Sequence, residues 1–284
     1  MNTVEKFLTE TNLNWRVNSE PIQTESGLII NGYNALIRED TNEALSVRTD
    51  SYFPYQNQEL MELLFQVSNQ TGLQVHKGGF FGKGEKVFVQ LKSNDLRLGS
   101  DRIEGYLTGI NSFDGSTSLA FGPSNLTISC QNKFFAAFKE LDTKVRHTKN
   151  MTIRIDEICR SLEMVLEEEK KVFDNIVRLS ETRFDDVVKD HITKHLFNIK
   201  KEVDLNDVDS ISGKTRNSLA RFYGELNTEL SDKGGDNMWA LFSGVTRYTT
   251  HSMTKDKERN TKNKMFGVYG KREKEIFADL VELV

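Results

Sequence analysis

The chain has 284 residues, with 38 Lys and Arg against 42 Asp and Glu and a formal net charge of -4. Its 37% apolar residues can bury a core, and 18 Phe against 3 Pro argue for regular structure rather than linker. Two isolated cysteines, Cys130 and Cys159, argue against a disulfide framework or a thiolate metal site. No run approaches the roughly 18 apolar residues of a membrane span, and the segment Met1-Asn2-Thr3-Val4-Glu5-Lys6 lacks the basic and apolar regions of a signal peptide. The expectation is a soluble, cytosolic protein with no membrane partner.

In chain order, Leu28-Ile29-Ile30 and Tyr33 to Ile37 read as short strands split by an Asn31-Gly32 hairpin turn. Ala44 to Arg48 reads as the next strand. Asn57 is the expected cap of a helix over 58–69, with Leu60, Leu64 and Val67 on one face and Gly72 past its end. Val87 to Leu91 alternates as a half-buried strand does, and strands at 105–110 and 118–121 flank an Asp114-Gly115 turn. Leu126 to Cys130 reads as a strand running into a helix that begins near Gln131.

From Ile155 the apolar period changes from two to about three and a half. One stripe runs from Ile158 through Leu162, Val165 and Phe173 to Leu179. Further helices are expected over Phe184 to Leu196, after Ser212, from Met238 behind Asn237 to about Thr250, and over Lys271 to Leu283. Strands first and helices afterwards predict an α+β fold, with a strand-rich region 1–150 and a helical region 151–284.

Charge is spread unevenly. Residues 1–63 carry four basic and ten acidic side chains and 156–209 carry nine and fifteen, whereas 133–154 carry six and two and 247–274 carry nine and three. Two basic islands in an acidic chain are the expected footprint of a polyanion, because Lys and Arg neutralise phosphates and release counterions. The competing explanation is a set of solvated helix faces. In the first island Lys133, Lys139, Arg146, Lys149 and Arg154 would form a phosphate track, with His147 adding hydrogen bonds. The second holds Arg247, Tyr248, Lys255, Lys257, Arg259, Lys262 and Lys264 among hydroxyls and amides, and reads as exposed.

The stretch Lys77-Gly78-Gly79-Phe80-Phe81-Gly82-Lys83-Gly84 is not a phosphate loop: three residues, not four, separate Gly78 from Gly82, and Gly84 replaces the magnesium-binding hydroxyl. It reads first as a hairpin between two strands. Its second reading is a nucleic-acid finger, with Phe80 and Phe81 as stacking faces and Lys77 and Lys83 on phosphate. His191 and His195 share a helix face but lack a third ligand, so no metal is expected. Asp114 lies in a polar Asn-Ser-Phe-Asp-Gly-Ser turn, where Asp-Gly serves the backbone. With no nucleophile or metal-binding constellation, neither catalysis nor a cofactor is expected.

Several blocks run in order along nearly the whole chain. They are Val47 to Asn57 (an Arg-x-Asp strand, then Tyr and Gln-Asn before a helix), Lys77-Gly78-Gly79 and Asn111 to Ser116. Cys130-Gln131-Asn132, Arg146-His147-Thr148 and Trp239 to Tyr248 follow. Together they resemble the phage/plasmid-like proteins grouped as domain-of-unknown-function family 932, with Phe113 where that family usually has His and Arg247 where Glu is common. The resemblance implies a phage, plasmid or mobile-element origin and the cytoplasm of a bacterial host, and carries over no catalytic residue. Two functions follow as expectations. One is a single-stranded DNA- or RNA-binding protein, a strand-annealing or recombination factor acting as a homo-oligomer. The other is a non-enzymatic factor that binds a host or phage protein complex.

Overall fold

Alternating strands and then long amphipathic helices produce an α+β protein. The structure is a computed structural model that describes residues 3–99, 101–127, 132–134 and 155–284. The first part runs α1 (Thr3–Glu10), β1 (Val17–Gln23), β2 (Ile29–Arg38), β3 (Glu43–Thr49), α2 (Asn57–Thr71) and β4 (Gln74–Phe81). It continues with β5 (Lys86–Leu98), β6 (Asp101–Ser112), β7 (Ala120–Thr127) and β8 (Asn132–Phe134). One sheet has the order β1-β2-β3 and the other β4-β5-β6-β7-β8.

The Asn31-Gly32 hairpin is corrected. Residues 29–38 are one strand, and Asn31 to Tyr33 form a bulge in it, since β1 pairs Pro21 with Asn34 and Ile22 with Ile30. The positive φ of Gly32 (82°) serves the bulge, while the turn falls at residues 24–28, where Leu28 N and Thr24 Oγ1 are bonded. Helix α2 starts one residue earlier than expected. Gln56 caps it in a reciprocal box with Glu59, and Asn57 turns its amide inward onto the carbonyls of Leu13 and Trp15. Gly72 ends it in the left-handed region, as the sequence indicates. Residues 132–134 form β8, paired with β7, where the expected helix would begin, because pairing along a sheet overrides a local helical pattern there; the rest of that expected helix lies outside the described residues.

The helical part comprises α3 (Ile155–Glu181), α4 (Asp186–Phe197), α5 (Gly213–Asp232), α6 (Met238–Arg247), a π-helical turn Tyr248–Ser252, α7 (Lys257–Phe266) and α8 (Val268–Glu282). Side chains of Asp185, Ser212, Asn237 and Asp256 cap α4 to α7. No helix among the described residues is long and apolar enough to cross a membrane.

The chain forms two compact units, and it passes between them more than once. The first comprises the described residues of Met1–Asn94, Tyr106–Pro123 and Ala137–Glu167; the second comprises those of Asp95–Gly105, Ser124–Ala136 and Glu168–Val284. In the first, Leu13, Trp15, Leu36, Leu60, Leu64, Val87, Val89, Phe113 and Phe121 form one buried cluster. In the second, Ile176, Ile192, Leu196, Phe222, Phe242, Val245, Tyr248, Ile276 and Leu280 are buried. There Gly244 lets α6 lie on α5: a Cβ at that position would come within 2.8 Å of Leu226 Cδ1 and 3.0 Å of its Cα.

Candidate functional site

The Gly-rich segment is the β4–β5 hairpin, as its first reading holds. Its Phe pair is not a stacking finger, which corrects the second. Phe81 is 3% exposed, with its ring 5.4 Å from that of Phe88. Half-buried Phe80 meets Trp15 edge-on at 6.0 Å, and the Arg38 guanidinium covers both rings at 4.3 and 4.7 Å. Aromatic side chains next to a core Trp lose more by exposure than a base stack returns, so they face inward. Lys83 pairs with Glu43 at 3.0 Å, and Lys77 is exposed on β4. Lys139, Arg146, His147, Lys149 and Arg154 lie outside the described residues, as does Cys130. Lys133 falls in β8, where only the backbone is described.

The second island divides. Arg247 is not a phosphate ligand: its Nε is 2.7 Å from Glu225 and its Nη1 3.2 Å from Glu229, which is fully buried. Burial alone would push the Glu225 carboxyl up, but hydrogen bonds from Ser252 and Arg247 outweigh it and hold the group below its ordinary range. Tyr248 is 2% exposed, with ring neighbours Phe197 at 5.4 Å and Phe222 at 5.9 Å, so it offers no face to a base. Lys264, expected at the surface, is buried and ion-paired with Glu273 at 2.6 Å. Asn260, also buried, donates to the carbonyls of Thr249 (2.8 Å) and Thr250 (2.6 Å), closing the π-helical turn. Lys255 and Arg259 are exposed and Lys262 is half-buried.

What the sequence did not single out is the first half of α5. Residues 211–224 hold three basic side chains and no acidic one, and Lys214, Arg216 and Arg221 are all exposed. Arg221 Nη1 reaches the Ser252 carbonyl at 3.4 Å, which sets this half-helix beside the loop leading into α7. Exposed Lys214, Arg216 and Arg221 on α5, and exposed Lys255, Lys257 and Arg259 before and on α7, all lie in the second unit, the latter three interleaved with the acids Asp256 and Glu258. Asp256 is occupied in part as the α7 cap, accepting from Arg259 N.

His191 and His195 share a face of α4 as expected, but they address carboxylates on α8. His195 Nδ1 is 2.9 Å from Asp279 and its Nε2 3.4 Å from Glu275, while His191 Nε2 is 3.5 Å from Asp279. The two nitrogens of His195 face different partners rather than one point, and among the described residues no group of three or more His, Cys, Asp or Glu could hold a metal ion.

In the first unit, two blocks distant in sequence converge. Tyr52 donates to the Ser112 carbonyl (2.6 Å), Ser46 to the Phe113 carbonyl (2.6 Å) and Asn111 to the Tyr55 carbonyl (2.7 Å). Phe113 is fully buried with its ring 5.7 Å from Trp15, and Lys86 Nζ is 3.7 Å from Asp114 Oδ2. Burial above all pushes the Tyr52 hydroxyl up to about 12, so it stays protonated and keeps its bond to Ser112 at neutral pH.

The fold and surfaces define an α+β protein with a cation-bearing helical surface and a clamped polar turn. The chain belongs to the family described as Domain of unknown function (DUF932), whose model matches residues 44–267 and so takes in both regions. No curated protein and no solved structure matches it.

Proposed function

We propose that the chain is a non-enzymatic protein that binds single-stranded nucleic acid through its phosphates, with the α5–α7 surface as the phosphate track. The observation that carries this reading is the bond from Arg221 to Ser252, which joins an acid-free half-helix with three cations to the segment that runs on into exposed Lys255, Lys257 and Arg259. Exposed cations act on phosphate without sequence preference, and their contribution falls with salt. In its fuller form the proposal is strand annealing in recombination by an oligomer in a bacterial host's cytoplasm.

Binding to a single-stranded oligonucleotide, titrated at several salt concentrations, tests it. The logarithm of the affinity should fall with the logarithm of salt by about 0.7 per phosphate neutralised. Replacing Lys257 and Arg259 together by Ala should flatten the slope by roughly one to one and a half. The melting temperature should hardly move, because exposed charges contribute little to folding. No binding by the folded protein at low salt would remove the proposal.

A groove in the first unit favours a second reading, a protein partner. It measures about 520 Å³, and its lining includes Leu8 and Leu13 with three carboxylates, Glu5, Glu59 and Glu62, against one cation, Arg16. An apolar segment flanked by Lys or Arg would complement it. Capture of a basic peptide together with indifference to nucleic acid would favour this reading.

A further inference from the structure

Among the described residues four arginines are not exposed: Arg38, Arg48, Arg247 and Arg272. Three of them are satisfied. Arg38 is bidentate on Asp40 and donates to the Lys83 carbonyl, Arg247 bonds Glu225 and Glu229, and Arg272 bonds the Leu196 carbonyl. Among the described residues Arg48 has no such partner. The one hydrogen bond it makes among them runs from Nε to Ser46 Oγ at 3.4 Å, and that hydroxyl already donates to Phe113 O. Both Nη atoms keep their four N–H donors, although the side chain is half-buried and held in place.

What holds it is the polar turn. A Cβ at Gly115 would come 2.8 Å from Arg48 Cζ and Nη1, so the guanidinium lies directly on the glycine, whose φ of 64° the turn also requires. The neighbouring Asp114 does not serve as its counter-ion. Asp114 Oδ1 accepts from Ser116 N (3.0 Å) and Ser116 Oγ (2.5 Å), and its Oδ2 faces Lys86, whose side chain is only 9% exposed.

We propose that Arg48, seated on Gly115 beside the Lys86–Asp114 pair, is a binding subsite for a phosphate group. A planar guanidinium presents paired donors that match two phosphate oxygens, a geometry that a Lys ammonium lacks. A phosphate monoester carries close to two negative charges at neutral pH, which a guanidinium fork complements. The subsite lies in the first unit and does not rest on the nucleic-acid reading of the α5–α7 surface.

The test follows the arginine side-chain Nε–H resonances of the full-length, 15N-labelled protein during titration with sodium phosphate at constant ionic strength. A saturable shift of the Arg48 resonance is expected. Arg48→Lys, which keeps the charge and loses the fork, should weaken phosphate binding, read by thermal shift, by about tenfold. Arg48→Gln should abolish it. Thymidine 5′-monophosphate forms a second arm. Tighter binding than inorganic phosphate assigns the subsite to a nucleotide phosphate, and equal binding assigns it to phosphate itself. The proposal is overturned if phosphate moves no arginine resonance of the wild type, or if Arg48→Gln with a native circular dichroism spectrum binds phosphate as the wild type does. Should Arg48→Gln fail to fold, wild-type affinity in Arg48→Lys overturns it instead.

Discussion

Replacing Lys264 by Met is expected to destabilise the helical unit by about 3–5 kcal/mol, the range for breaking a buried ion pair by removing one partner. Lys264 Nζ is 2.6 Å from Glu273 Oε1, with both side chains 1% exposed. It also donates to Thr250 Oγ1 at 2.8 Å and Thr249 Oγ1 at 3.0 Å, and Thr249 in turn donates to Glu273. Burial pushes the Glu273 carboxyl above its ordinary range, and the charge and hydrogen bond of Lys264 offset that only in part. Without Lys264 the carboxylate would be left in an apolar interior, where its Oε2 already lacks a hydrogen-bond partner. Removing both charges tells the two components apart. Lys264→Met with Glu273→Leu should recover most of the loss, because the desolvation of two ions disappears along with their attraction. Urea denaturation followed by far-ultraviolet circular dichroism measures both variants. A single mutant within about 1 kcal/mol of wild type would mean that the pair is hydrated rather than buried.

This pair also shows where sequence reasoning reaches its limit. Lys264 sits in a run of cations, and a run of cations reads as surface. Its partner arrives nine residues later on α8, at a spacing that no single helix brings together. Arg247 is a similar case, since its two carboxylates come from α5, 18 and 22 residues earlier. Local signals fare better. Ser212, Asn237 and Gly72 mark helix ends because capping needs only the adjacent backbone, and Asp114-Gly115 marks its turn for the same reason. Asn31-Gly32 carries the same chemistry and yet makes a bulge, because the sheet register rather than the dipeptide decides how a positive φ is used. Strand β1 escapes a sequence reading because Val-Asn-Ser-Glu-Pro-Ile-Gln has little apolar alternation and is a strand through pairing with β2. The α5 cations escape it for a simpler reason: the apolar face identifies the helix, and three cations without an acid in fourteen residues are too few to stand out as an island.

The second large effect is expected at Gly270. Changing this residue to Ala places a Cβ against the Lys264 carbonyl oxygen and 2.8 Å from its carbonyl carbon. Both atoms are backbone of α7, so no side-chain rotation relieves the overlap and one helix must move. A destabilisation of about 3 kcal/mol or more follows, the upper end for an overpacked interior. Gly224 is the control. It lies inside α5, where an added Cβ would have nothing within 4 Å, so Gly224→Ala should stabilise by about 0.5–1 kcal/mol through helix propensity alone. The functional consequence separates packing from charge. Because α7 carries Lys257 and Arg259, Gly270→Ala should weaken oligonucleotide binding and lower the melting temperature together, whereas Lys257→Ala with Arg259→Ala should weaken binding and flatten the salt slope at an unchanged melting temperature. If Gly270→Ala melted like the wild type, the close approach of α8 to the end of α7 would be wrong, and with it the placement of the cations that α7 presents.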